Sequence, residues 1–235
     1  GDATVTLIGF PSVGKSTLLN KLTAAKSRVE SFDFTTLEVI PGIMNYKGAK
    51  IQILDIPGLI SGAAEGKGRG REILSVARNS DLILIIVDAK KREQLPIIEK
   101  ELHDAGIRLN QEKPQVKIKK TSRGGVVIFS PLNDFGVSKE EIRGVLNSQG
   151  IFNAEVTIRE KISLEKFIDV ILGNRVYIPS IIVINKIDLL SKEELKELEG
   201  IPISAQKEIN LEKLKEELFK KLNFIRVYLK PPGKE

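Results

Sequence analysis

The sequence predicts a doubly wound, three-layer α/β fold of the phosphate-loop type, interrupted by a small inserted α+β subdomain. Three observations carry this. A short apolar stretch, Thr4-Val5-Thr6-Leu7-Ile8, runs into Gly9-Phe10-Pro11-Ser12-Val13-Gly14-Lys15-Ser16-Thr17, which fits G-x-x-x-x-G-K-[ST] and continues as a helix. Two more apolar runs, 83–87 and 181–184, are bounded by polar residues and read as parallel strands buried on both faces. Finally, Asn185 stands 130 positions after Asp55. A compact domain of this class needs roughly 60 there, which leaves about 70 residues for an insertion.

Composition sets the outer bounds. No apolar run approaches the ~20 residues of a membrane span, and no signal-peptide pattern opens the chain. With no cysteine there is no disulfide framework and no thiolate chemistry, which suits a cytoplasmic protein. A net charge of +6 favours a polyanionic partner, although a lysine-rich solvated surface gives the same sum.

Taken in order, the phosphate loop comes first. Its glycines let the chain curl, so that the N–H groups of Ser12, Val13, Gly14, Lys15, Ser16 and Thr17 converge on phosphate oxygens at a helix N-terminus. Lys15 supplies a point charge to the β- and γ-phosphates, and the Ser16 hydroxyl is placed for Mg²⁺. The stretch 26–36 has neither helical nor strand period. It ends Phe32-Asp33-Phe34-Thr35-Thr36, where a threonine can close on Mg²⁺ and the γ-phosphate; spacing alone does not separate Thr35 from Thr36.

Residues 37–46 and 50–55 read as two strands around Lys47-Gly48, the second delivering Asp55-Ile56-Pro57-Gly58. An Asp at a strand's C-terminal end is where such sheets hold Mg²⁺, usually through water, and Gly58 lets its N–H approach a γ-phosphate. The glycine-rich, basic stretch 59–71 reads as a switch loop, 72–79 as a helix, 81–87 as a central strand, and the residues after Lys90-Lys91-Arg92 as a helix reaching His103. His103, the one histidine, is assigned no role.

The surplus falls between 103 and 175. Strands are expected at 116–119, 126–129 and 154–159, with helices at 138–147 (Ser138 and Glu141 forming a capping box) and 163–172. The run 113–123 carries Lys113, Lys117, Lys119, Lys120 and Arg123 with no acid, a candidate RNA contact, but no aromatic pattern accompanies it in sequence. Beyond the insertion, 180–184 delivers Asn185-Lys186-Ile187-Asp188. The Asp188 carboxylate accepts from both N1–H and the 2-amino group of guanine, neither of which adenine offers. Asn185 would brace the loops, and the Lys186 stem would lie along the base. A last strand at 201–203 leads to Ser204-Ala205, whose N–H is aimed at guanine O6, and an amphipathic helix spans 210–222.

These motifs together resemble the Obg-related GTPases. Gly66-Lys-Gly-Arg-Gly-Arg71, Gly106-Ile-Arg-Leu-Asn110, Ile151-Phe-Asn-Ala-Glu155 and the run 167–177 narrow the resemblance to the developmentally regulated GTP-binding proteins, archaeal in type. That family implies a G domain (1–103 and 174–223), an insertion similar to a ribosomal-protein S5 domain (104–173), and the opening of a TGS-like domain or linker (224–235). It also implies GTP hydrolysis to GDP and phosphate, a ribosomal setting and a dedicated protein partner. Lys15, Thr36 and Gly58 would be catalytic, and Ser16, Thr36 and Asp55 the Mg²⁺ ligands. Thr36 is preferred to Thr35 by resemblance. Leu59 stands where the Ras pattern has a water-positioning Gln, so hydrolysis is expected to be slow, with help from Arg69 or Arg71, a partner's residue, or K⁺. Ser12 occupies the place where potassium-using relatives carry Asn, which counts against the ion. The rival reading is a non-catalytic RNA-binding module holding guanine nucleotide as a structural ligand.

Overall fold

The computed structural model describes residues 1–23, 30–31, 38–56 and 70–222. In chain order its elements are β1 (Ala3–Ile8), α1 (Lys15–Leu22), β2 (Glu30–Ser31), β3 (Glu38–Tyr46), β4 (Ala49–Asp55), α2 (Gly70–Arg78), β5 (Leu82–Asp88), α3 (Gln94–Asp104), β6 (Ile107–Leu109), β7 (Val116–Lys120), β8 (Val126–Phe129), α4 (Lys139–Ser148), β9 (Ala154–Ile158), α5 (Leu164–Leu172), β10 (Val176–Ile178), β11 (Ser180–Asn185), β12 (Ile201–Pro202) and α6 (Leu211–Lys221).

The chain divides into two compact units, 1–110 with 178–235, and 111–177. In the first, a seven-stranded sheet runs β12-β11-β5-β1-β4-β3-β2. From β12 to β4 every neighbouring pair is parallel, and β3 and β2 add antiparallel. Such a parallel sheet needs both faces covered, and the sequence supplies that with β5, all seven of whose residues are buried. Leu18, Leu19, Leu22, Leu211, Leu214 and Leu218 from α1 and α6 share one apolar cluster with Val5, Leu7, Ile53, Leu84 and Val183 of the strands. The strand order reverses at β1, with β4 on one side and β5 on the other, so the loop after β1 sits at the topological switch point. Lys47 and Gly48, both at positive φ, make the two-residue turn that the Lys47-Gly48 pair predicts.

The second unit is a three-stranded sheet, β7-β9-β8, with α4 and α5 closing a core of Val156, Ile158, Ile142, Leu146, Ile162 and Phe167. The capping box forms as read: Ser138 Oγ accepts from Glu141 N–H (3.0 Å), and Glu141 accepts from Ser138 N–H (2.8 Å). Strand order was not legible, since β9, last in sequence, lies between β7 and β8, antiparallel to one and parallel to the other.

The unit boundaries fall later than the sequence placed them, at 110 and 178 rather than 103 and 174. Residues 104–110 belong to the first unit for physical reasons, and 174–177 go with the second. Ile107 and Arg108 are buried, and Arg108 donates to His103 O (2.7 Å). Asn110 then clamps the returning chain. Its Nδ2 donates to Ser180 Oγ (3.0 Å), its Oδ1 accepts from Ser180 N–H (2.8 Å), and its own N–H donates to Ile178 O (3.1 Å).

Candidate nucleotide site

The loop from β1 to α1 turns through Ser12 (φ 66) and Gly14 (φ 99) into the first helical residue, Lys15. A Cβ on Gly14 would lie 2.3 Å from Asn185 Nδ2, so this position needs glycine for its backbone and for space. Lys15 is buried, its Nζ donating to Gly9 O (3.0 Å) and Phe10 O (3.3 Å), which curls the loop around the ammonium. Burial lowers the Lys15 pKa, and the charge of Asp55 offsets part of that.

Asp55 ends β4, in register with Leu7 of β1. Ser16 Oγ donates to Asp55 Oδ2 (3.0 Å), while Asp55 Oδ1 is buried and has no hydrogen-bond partner among the described residues. Burial pushes the Asp55 carboxyl above the usual carboxylate range, opposed by the Ser16 hydrogen bond and the Lys15 charge. A hydroxyl and a carboxylate with an unsatisfied buried oxygen form a hard-oxygen donor pair, which fits Mg²⁺.

The other half of the site comes from β11. Asn185 Nδ2 donates to Val13 O (2.9 Å), and its Oδ1 accepts from Ala205 N–H (3.0 Å), tying the phosphate loop to the loop after β12. Lys186, at φ 69, donates to Ser12 O (2.8 Å) and to Asp88 Oδ2 (2.7 Å). Burial alone would raise the Asp88 pKa. The Lys186 and Lys90 N–H hydrogen bonds, with the charges of Lys186 and Lys91, outweigh it and hold the carboxyl low. Asp188 lies exposed in the 3-10 turn Ile187–Leu189. Gly14, Thr17, Asn185, Lys186, Asp188, Leu189, Ser204, Ala205 and Gln206 line a cavity of about 120 Å³.

The sequence-predicted residues Lys15, Ser16 and Asp55 come together, as do Asn185, Lys186, Asp188, Ser204 and Ala205. Thr35, Thr36, Gly58, Leu59 and Arg69 lie outside the described residues. One reading needs correction. The Ala205 N–H is committed to Asn185 and that of Lys207 to Ser204 Oγ (3.1 Å), leaving the Gln206 N–H as the amide of this loop without a partner among the described residues. Asp88 was missed. The signal was there, an acid at the C-terminal end of the central strand, level with Asn185. The cluster Lys90-Lys91-Arg92 is also less free than its charge suggests, since Lys90 pairs with Glu194 (3.5 Å) and Arg92 donates to Glu197 O (3.4 Å).

A sequence profile described as "50S ribosome-binding GTPase" matches residues 4–120, and one described as the C-terminal region of that domain matches 123–224. Human developmentally-regulated GTP-binding protein 2 is 48% identical over 99% of this chain. The chain belongs to the developmentally regulated GTP-binding protein family. A GTP-binding protein of Methanocaldococcus jannaschii is 54% identical over all of it. The chain spans 65% and 62% of those two proteins, less than two thirds of each. Among solved structures, the G domain of the Thermotoga maritima FeoB iron transporter shares the fold (TM-score 0.52, 20% identity, covering 93% of this chain and 98% of that one). Lys15 and Asp55 stand on one side of the candidate site and Asn185 and Asp188 on the other. No helix among the described residues is long and apolar enough to cross a membrane.

Proposed function

We propose that this chain is a Mg²⁺-dependent, guanine-specific GTPase of low intrinsic rate that works as a molecular switch on the ribosome. The observation that carries the catalytic reading is Asp55, buried beside Lys15 with one oxygen on Ser16 and the other without a partner among the described residues. Ser16 and Asp55 would hold Mg²⁺, with Thr36 as the further ligand that family resemblance implies. The ion supplies charge neutralisation on the β- and γ-phosphoryl oxygens. Lys15 adds a second positive charge there, and the amides opening α1 add hydrogen bonds, with Gly58 N–H reaching the γ-phosphate. Asn185 fixes the loops, and the Asp188 carboxylate selects guanine.

Leu59 can neither donate nor accept a hydrogen bond, so water positioning falls to Arg69 or Arg71, a partner's residue, or K⁺. The ribosomal setting is supported by the description of the matching profile and by Lys117, Lys119, Lys120 and Arg123, none of which is ion-paired among the described residues. A cytoplasmic location and a dedicated protein partner are carried by family resemblance.

Phosphate release tests this. It should require Mg²⁺, accept GTP but not ATP, proceed at about the rate of Ras alone (on the order of 10⁻⁴–10⁻³ s⁻¹), and vanish in Lys15→Ala. No release in sodium or potassium, with or without ribosomes, would overturn the catalytic reading and favour the non-catalytic RNA-binding module.

A further inference from the structure

The second unit presents one sheet face to α4 and α5 and the other outward. Burial alternates along each strand, so the outward set is Lys117 and Lys119 on β7, Glu155 and Thr157 on β9, and Val127 and Phe129 on β8. Register turns these into two rows across the sheet, Lys117–Thr157–Phe129 and Lys119–Glu155–Val127. Phe129 is 52% exposed and Val127 42%, and both are among the most open large apolar side chains in the described residues. Arg159, exposed just beyond β9, continues the face by parity, and Lys120 and Arg123 border it. None of these cations has a carboxylate partner among the described residues.

We propose that this outward sheet face is a platform for single-stranded RNA, in which Phe129 stacks on a base while Lys117 and Lys119 hold successive phosphates. It rests on the RNA-directed part of the function proposed above and gives it a site and a ligand form. The charges call for a polyanion, since five basic residues lie on or border the face against the single acid Glu155 on it. The aromatic ring decides its form. Duplex RNA keeps its bases stacked and is read through phosphates and 2′-hydroxyls, so it has no use for a half-exposed phenylalanine, whereas an unstacked base does. Spacing agrees. Two lysines two positions apart on a strand stand about 7 Å from each other, and two strand separations put Phe129 about 10 Å from the lysine row, the reach from a phosphate to its own base. Between them lie the Thr157 hydroxyl and the Glu155 carboxylate, both able to accept from a ribose 2′-hydroxyl, which favours RNA over DNA. Sequence reading missed this because Phe129 and Lys117 become neighbours only through β9, which follows them both.

The test is fluorescence anisotropy of the full chain with a labelled mixed-sequence 12-nucleotide RNA, its DNA counterpart and its duplex. The single-stranded RNA should bind tightest. Phe129→Ala should weaken it about tenfold without changing the salt dependence. Lys117→Gln with Lys119→Gln should weaken it and reduce the log–log salt slope by about 1.4. All three positions are exposed, and fluorescent GDP titration should report unchanged nucleotide affinity in each variant. Binding that ignores Phe129→Ala, or that favours the duplex, overturns the platform and leaves a plain phosphate-attracting surface that still serves the ribosomal reading. No RNA binding by wild type, with ribosome co-sedimentation intact, overturns the platform and points to a ribosomal protein contact.

Discussion

On the base side of the site, Asn185 places both ends of its amide inside the protein, and Lys186 is held by Ser12 O and Asp88. On the phosphate side, Asp55 has one oxygen satisfied and one not, and the desolvated Lys15 ammonium is supported by two loop carbonyls and the charge of Asp55. The difference follows from what each half must recognise. Under the proposed function, base recognition needs a rigid frame that holds one exposed carboxylate, Asp188, in position. Phosphate recognition needs concentrated, under-satisfied polar groups whose partners are the ligand's own charges. One half is therefore organised by internal hydrogen bonds, the other by stored electrostatic demand.

The position that joins the halves should be the most sensitive. Gly14→Ala places a Cβ against Asn185 Nδ2 and forces a non-glycine residue to φ 99, conditions that strain the backbone by ~1–3 kcal/mol and displace the brace. Nucleotide affinity is expected to fall about 100-fold or more in a fluorescent GDP titration, with a lower melting temperature as well. An unchanged affinity would mean that the two halves do not depend on each other.

Asp188→Asn attacks the base half alone. Because the side chain is exposed, the melting temperature should hold. GTP affinity should fall by about two to three orders of magnitude, as one acceptor becomes a donor facing N1–H, and xanthosine triphosphate should gain. Equal losses for both nucleotides in competition binding would show that the residue acts on the frame and not on the base.

How much of this was legible in sequence follows the same division. Lys15, Ser16, Asp55, Asn185 and Asp188 could be proposed from sequence because each sits at or just beyond a strand end or helix start, where the motif spacing fixes the position. Asp88, the Asn110–Ser180 clamp and the Lys117–Thr157–Phe129 row were not found. The last two join segments far apart in sequence, and nothing local encodes which become neighbours, whereas Asp88 carried a signal of its own at the end of the central strand. The Ala205 reading was incomplete for a related reason. The Ala205 amide is taken by Asn185, a partner visible only once β11 and β12 are side by side.

The two buried aspartates extend the comparison to pH. The Asp55 carboxyl is raised, so its ionised form costs stability above its folded pKa, and the cost is relieved as pH falls. The Asp88 carboxyl is lowered, so its contribution is present above the unfolded value near ~3.9 and is lost as pH falls through the folded one. At pH 7, Asp55→Asn should therefore raise nucleotide-free stability by about 1 kcal/mol while abolishing Mg²⁺-dependent hydrolysis. Asp88→Asn should lower it by about 1 kcal/mol, moderated because the Lys186 side chain is 34% exposed. Both differences should shrink in urea melts below about pH 4. Shifts of the same sign would refute the contrast.

Leu59→Ala should have the smallest effect, and that is its value. The residue follows Asp55-Ile56-Pro57-Gly58 directly, in the place where a glutamine amide can orient the attacking water. A leucine side chain has no donor or acceptor, so shortening it removes nothing that the chemistry uses. If the phosphate half works by charge from Lys15 and the Ser16–Asp55 pair, basal turnover of the variant should stay within about twofold of wild type, because the truncation removes no charge and no hydrogen bond. A catalytic arginine supplied by Arg69 or Arg71 would leave this result untouched, and its own removal would show instead, since such a residue is worth ~10³–10⁵ in rate. Measured by single-turnover phosphate release in sodium buffer, a large loss in Leu59→Ala would mean that the leucine shapes the γ-phosphate environment itself. Fast turnover by wild type in the same buffer would mean that the water is already positioned, and the low-rate reading would fall with it.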